Sequence, residues 1–131
     1  MKKLLFLLIV PALMVLSSCQ KTEYVNPNQT ILTDIVPDAW RSTDGGRTYT
    51  TLISMPEIDS YFNDYGAVLV YLSFDGTTYE QIPQVYQGVA YSYNHVPGSI
   101  QLILQTSDNN STVIKPGGVI TAKIVLIQSQ Q

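Results

Sequence analysis

Ile100-Gln101-Leu102-Ile103-Leu104-Gln105-Thr106 is the stretch that decides the fold class. Ile100, Leu102 and Leu104 fall on one side of an extended chain, and Gln101 and Gln105 on the other. A repeat of two is the signature of a strand with one face in a core and one in water. Toward the C-terminus, Ile120, Ala122, Ile124 and Leu126 repeat the pattern with Lys123 turned outward. Both faces of that segment carry apolar residues, which places it inside a sheet. Toward the N-terminus, Ala67-Val68-Leu69-Val70-Tyr71-Leu72 is apolar on both faces, as expected of a central strand covered on both sides.

Turn-forming residues punctuate the chain at Asp44-Gly45-Gly46, Asp75-Gly76, Pro97-Gly98, Asp108-Asn109-Asn110 and Pro116-Gly117-Gly118. Between them lie seven runs of strand length: 30–36, 47–54, 67–74, 78–86, 88–95, 99–106 and 119–128. Pro83 interrupts the 78–86 run and marks it as an edge strand or a bent one. Asp75-Gly76 reads as a tight hairpin. One stretch departs from the β pattern. From Met55 to Gly66, Ile58, Tyr61, Phe62 and Tyr65 follow the i, i+3, i+4, i+7 stripe of a short amphipathic helix, with Pro56 near its start and Gly66 at its end. The expected fold is all-β: an Ig-like β-sandwich of about seven strands with one short connecting helix near residues 56–65.

The N-terminus is of a different character. Met1-Lys2-Lys3 precedes an apolar run from Leu4 to Leu16, which ends in Leu16-Ser17-Ser18-Cys19. This is the layout of a secretory signal peptide, and its apolar core is shorter than the roughly 20 residues that span a bilayer. Leu16-Ser17-Ser18-Cys19 resembles the lipobox of bacterial lipoproteins. The resemblance implies cleavage between Ser18 and Cys19. It also implies a diacylglyceryl thioether on Cys19 and an amide-linked acyl chain such as palmitate. The alternative is an uncleaved anchor with Cys19 as an incidental thiol. The organisation expected is a signal peptide at 1–18, a lipidated flexible tether at 19–29 and a sandwich domain at 30–131.

Cleavage would leave 113 of the 131 residues, enough for one small core. The remaining basic groups are Lys21, Arg41, Arg47, Lys115 and Lys123, against ten acids, a formal net charge of −5. Such a balance argues against nucleic acid as a partner and against electrostatic docking on anionic lipid. Membrane attachment is expected through the lipid alone. Cys19 is the single cysteine, so the domain has neither a disulfide nor a thiolate metal ligand. Its stability has to come from the apolar core and cross-strand pairing.

Beyond the signal, the chain shows Trp40, Arg47-Thr48-Tyr49-Thr50-Thr51, Met55-Pro56-Glu57-Ile58, Tyr65-Gly66-Ala67-Val68-Leu69-Val70-Tyr71-Leu72, Gln81-Ile82-Pro83, Val89-Ala90-Tyr91-Ser92-Tyr93 and Ile124-Val125-Leu126-Ile127. In this order it resembles a family of small lipoproteins of Bacteroidota, over nearly the whole mature domain. Some members carry a Gly-Pro segment behind the lipobox that this chain lacks, and a tryptophan near Tyr79 is also missing here. The resemblance implies a β-sandwich in the cell envelope, lipid-anchored in the outer membrane, facing either the periplasm or the surface. It transfers no catalytic residue.

The residues themselves give catalysis little support. His95 is the sole histidine, and no nucleophile elbow accompanies it. One histidine without a free thiol leaves too few ligands for zinc. Glu57 with Asp59, or Asp75 with Glu80, would be the carboxylate pairs of a glycosidase. Each of these acids also has a local reason to be where it is: Glu57 and Asp59 in a first helical turn, Asp75 in a turn. Asp108-Asn109-Asn110-Ser111 offers oxygen donors of the kind calcium takes, without an EF-hand pattern. No cofactor is expected. The tyrosines are more suggestive, because seven of nine lie between Tyr61 and Tyr93. Rows of outward aromatics form protein-binding patches or stack on sugar rings, and Trp40, Tyr86, Tyr91 and Tyr93 are the candidates for such a face. The expectation is therefore a non-enzymatic envelope module with a protein partner, or alternatively a glycan-binding module of a surface uptake system.

Overall fold

A computed structural model describes residues 28–108 and 110–129. The expected signal peptide, Cys19, most of the expected tether, Asn109, Gln130 and Gln131 lie outside the described residues. The rest forms a two-layer, all-β sandwich of two four-stranded antiparallel sheets, the architecture expected from the alternating runs. The strands are β1 (Gln29–Ile35), β2 (Thr48–Met55), β3 (Ala67–Ser73), β4 (Glu80–Ile82), β5 (Gln84–Tyr86), β6 (Val89–Val96), β7 (Gly98–Thr106) and β8 (Ile120–Ile127). One sheet has the order β1-β8-β3-β4 and the other β2-β7-β6-β5.

There are eight strands rather than seven because the 78–86 run is divided at Pro83. Proline has no N–H to give to a ladder. On its N-terminal side β4 pairs with β3 in the first sheet, and on its C-terminal side β5 pairs with β6 in the second. Both pieces are edge strands, so the chain changes sheets where an edge proline is tolerated. Asp75-Gly76 is not a two-residue hairpin. It lies in the longer connection from Phe74 to Tyr79, which the Asp75 carboxylate organises by accepting from the backbone N–H of Thr77 (2.8 Å) and Thr78 (2.7 Å).

The core lies between the sheets. Ile100, Leu102 and Leu104 of β7 are buried, as are Ile120, Ala122, Ile124 and Leu126 of β8 and Val68, Val70 and Leu72 of β3. The strand β8 sits between β1 and β3, and β3 sits between β8 and β4, so both are central as expected. The outer side of β3 is only half covered. Among the described residues no element packs over it, and the Lys123 ammonium rests 4.4 Å above the centre of the Tyr71 ring.

The helix α1 (Ser60–Tyr65) is shorter than the stripe suggested. Asp59 is its N-cap and accepts from the Phe62 N–H at 2.7 Å, which starts the helix after Ile58. Glu57 therefore lies outside the helix. Ile58 and Phe62 are buried, while Tyr61 and Tyr65 face water and pack on each other with ring centres 4.8 Å apart. Gly66 closes the helix without a side chain because a Cβ there would meet the Phe62 ring at 2.8 Å.

The register defines two poles. Gln29 of β1 is opposite Leu126 of β8, and Ala67 is opposite Ile127. The chain thus enters at the α1 end, the near pole. Ile35 is opposite Ile120 and Ser73 opposite Thr121, which marks the far pole. At about 3.3 Å per residue the two are roughly 23 Å apart.

Candidate functional site

Four connections meet at the far pole: 42–47, 74–79, 87–88 and 107–119. They are held by specific bonds. The Ser107 N–H donates to the Gly88 carbonyl (2.9 Å), and the Val113 N–H donates to the Gly46 carbonyl (2.8 Å). The second bond tucks Val113 into the core. Gln87 and Gly88 both have positive φ (50° and 77°), the backbone of a two-residue primed turn whose twist matches the β5–β6 hairpin.

Between these connections runs an open groove of about 460 Å³, walled by Phe74, Tyr86, Val89, Tyr91, Val113 and Ile114. It continues past Phe74 and Tyr91 into a second hollow of about 280 Å³ beside Pro116–Val119. Together the two fall in the size range of small-ligand or side-chain sites. Phe74 meets Tyr91 edge to face at 5.7 Å, a favoured aromatic geometry that stiffens the wall. Tyr86 is 54% exposed and Ile114 is 92% exposed. An isoleucine so fully in water, next to exposed Val119 and Phe74, forms an apolar rim. The Tyr91 phenol is pushed above its ordinary pKa by burial first, and then by nearby Tyr86 and Glu80. It is a neutral hydrogen-bond donor at physiological pH.

The chain matches no family model, no curated protein and no solved structure.

Of the four aromatic residues singled out in the sequence, two meet here. Tyr86 and Tyr91 both line the groove. Tyr91 and Tyr93 do share one face, but it is the inner one. They stand opposite Leu104 and Leu102, whose side chains are buried. Tyr93 crosses the sandwich and donates its hydroxyl to the Val68 carbonyl of β3, so it ties the sheets together. Burial raises its pKa as well, with Tyr71 adding to the effect. Trp40 is a correction. It is 2% exposed and belongs to the core, so it contributes nothing to an exposed face. It closes the short 3-10 turn Pro37–Ala39, donating its backbone N–H to the Pro37 carbonyl. Sequence reasoning missed Phe74, Val113, Ile114 and Val119. The available signal was the placement of Val113 and Ile114 between two turn clusters, outside any alternating run.

The residues considered for catalysis fall in separate places: Asp75 and Glu80 share a hollow of about 280 Å³ with Phe74 and Tyr86 at the far pole, apart from His95 and from Glu57 and Asp59. His95 Nδ1 is 2.9 Å from Asn63 Oδ1, a bond that docks α1 on β6 near the opposite pole. Glu57 and Asp59 border a small hollow beside α1. The Asp108 carboxylate accepts from the backbone N–H of Asn110 and of Ser111 and from the Ser111 hydroxyl, and so serves its own turn. Among the described residues no three His, Cys, Asp or Glu side chains cluster as a metal site would require.

Asp44, Asp75 and Asp108 all have pKa values below the ordinary carboxylate value of 3.8. The chief causes are backbone N–H groups of Thr48, Thr78 and Asn110 respectively. A depressed native pKa means that the unfolded chain takes up more protons in acid. The stabilisation is therefore complete above the ordinary carboxylate range and is lost as pH falls below it. The urea midpoint is expected to hold from pH 7 to about 5 and then fall toward pH 3. Asp75→Asn should lower the neutral-pH midpoint and flatten the acid decline. An acid decline as steep in Asp75→Asn as in the parent would show that this turn is not responsible.

Proposed function

We propose that this chain is a non-enzymatic lipoprotein of the bacterial cell envelope, held in the outer membrane by lipid on Cys19, that binds a protein partner through its far-pole groove. The lipobox-like Leu16-Ser17-Ser18-Cys19 supports the anchor. The observation that carries the binding role is the placement of the groove. The chain enters the sandwich at Gln29 on the near pole, and the aromatic and aliphatic walls open about 23 Å away at the other. A lipid-tethered domain with that polarity turns its binding surface away from the bilayer. The walls are largely aliphatic and aromatic, with Gln87, Thr106 and Thr112 the polar lining and no charged side chain. That composition suits an apolar side chain from a protein better than a hydroxyl-rich ligand.

A photo-crosslinker placed at Ile114 in the lipidated protein, in its own cells, tests this. It should trap a reproducible envelope protein, and the same probe at Leu32 on the first sheet's outer face should not. Tyr86→Ala should weaken the trapped complex by about 2 kcal/mol, roughly 30-fold, as for a central aromatic anchor. Equal trapping from both positions would refute the groove as the site.

The exposed Tyr86 and Phe74 rings favour one second reading, a glycan-binding module of a surface uptake system. Trp40 is too deeply buried to report sugar contact by its fluorescence. The discriminating measurement is an oligosaccharide array with Tyr86→Ala as comparator, and a signal lost in that variant would favour the glycan.

A further inference from the structure

We propose that two copies of this chain pair through the exposed edge of β2, at Leu52–Ser54, to form an antiparallel dimer. The outward backbone groups of β2 are used unevenly. Thr48 donates its N–H to Asp44 Oδ1 at 2.9 Å. Thr50 exchanges both of its groups with Arg41, at 2.8 and 2.9 Å. In a strand of period two, the next residues facing the same way are Leu52 and Ser54. Their N–H and C=O groups have no partner among the described residues. Natural sheets normally blunt such an edge with charge, proline or brevity. The other edges carry these devices: β4 and β5 have three residues each and flank Pro83, and β1 carries Asp34. From Thr48 to Met55 the strand β2 has no charge and no proline.

The arrangement specifies its occupant. Leu52 and Ser54 are symmetric about Ile53, so an antiparallel copy with the two-fold axis at Ile53 sets Leu52 against the partner's Ser54 and Ser54 against the partner's Leu52. Each copy offers two donors and two acceptors, and all are used in four backbone hydrogen bonds. This is the self-complementarity of an isologous contact. Leu52, 69% exposed, then lies diagonal to the partner's Leu52, within reach of an apolar contact. A chain that would carry −5 after processing brings copies together most readily where charge is lowest; β2 itself carries none, and Asp34 of β1 is the one acid lining the hollow beside Leu52–Ser54.

Light scattering on the lipidated, detergent-solubilised protein, with amide hydrogen exchange, tests the pairing. The mass should move from monomer toward dimer by about 100 µM, since so small a contact is weak. The Leu52 and Ser54 amides should become protected over the same range. Ser54→Lys, on an exposed position, should weaken pairing at least tenfold with the melting temperature unchanged. Leu52→Pro, which deletes an edge N–H, should do the same. A monomer throughout would overturn the proposal, as would a dimer indifferent to Ser54→Lys. Amides at 52 and 54 already protected in the monomer would also overturn it, by showing that another part of the chain occupies the edge.

Discussion

Trp40→Ala is expected to destabilise the domain by about 3–5 kcal/mol, the range for removing a large aromatic side chain from a packed core. Trp40 is buried among the residues that join the two sheets, and Arg41, next to it, bridges to Thr50 on β2. The loss is large relative to the whole. Small domains have about 5–15 kcal/mol of net stability, and this one has no disulfide to fall back on. Trp40→Phe should cost much less. The indole Nε1–H is buried and finds no acceptor among the described residues. An unmatched buried donor is itself unfavourable, so a ring without it recovers part of what the lost volume costs. Urea unfolding followed by far-ultraviolet circular dichroism compares the three proteins without relying on tryptophan emission. A Phe variant as unstable as the Ala variant would mean that Nε1 has an acceptor after all.

The strands were legible because burial leaves a period-two trace. Ile100, Leu102 and Leu104 alternate with Gln101 and Ile103, and the ladder with β2 and β6 follows that alternation. The change of sheets at Pro83 was half legible. The proline signalled an edge, but which sheet each half joins depends on contacts with β3 and β6, distant in sequence. The helix stripe named the right face only in part. Asp59 caps later than Pro56 suggests, and once α1 starts at Ser60 its tyrosines turn outward. The candidate site was the least legible. Tyrosine favours both half-buried strand positions and exposed binding faces, and nothing local separates the two. Tyr91 and Tyr93 point inward because their partners on β7 do. The groove is assembled from four connections, and a loop residue such as Ile114 has no periodicity to betray which way it points.

Cys19→Ala should abolish both acyl labelling and membrane retention. The described residues contain no helix long and apolar enough to cross a bilayer, so they supply no helical anchor of their own. On our reading the hold comes from the acyl chains on Cys19. Each buried methylene contributes about 0.8 kcal/mol, and a single chain of myristoyl length binds only marginally, whereas two or three anchor stably. Losing the thioether removes two chains at once, and it removes the modified cysteine on which processing at Ser18–Cys19 depends. The run Leu4–Leu16 has thirteen residues, short of a span, and should not substitute for the lipid. Fractionation of cells labelled with an alkyne-tagged fatty acid reads both effects together. Soluble, unlabelled protein is the expected result. Membrane-bound and normally labelled protein would refute lipidation at Cys19, and membrane-bound but unlabelled protein would assign the anchor to Leu4–Leu16. The folded domain should be indifferent, since among the described residues the first strand begins at Gln29 and no core residue precedes Ile31. If the groove works by facing away from the membrane, the Cys19→Ala protein should still bind its partner in solution and fail to recruit it to the envelope. Anchoring and recognition are thereby separable, each with its own end of the sandwich.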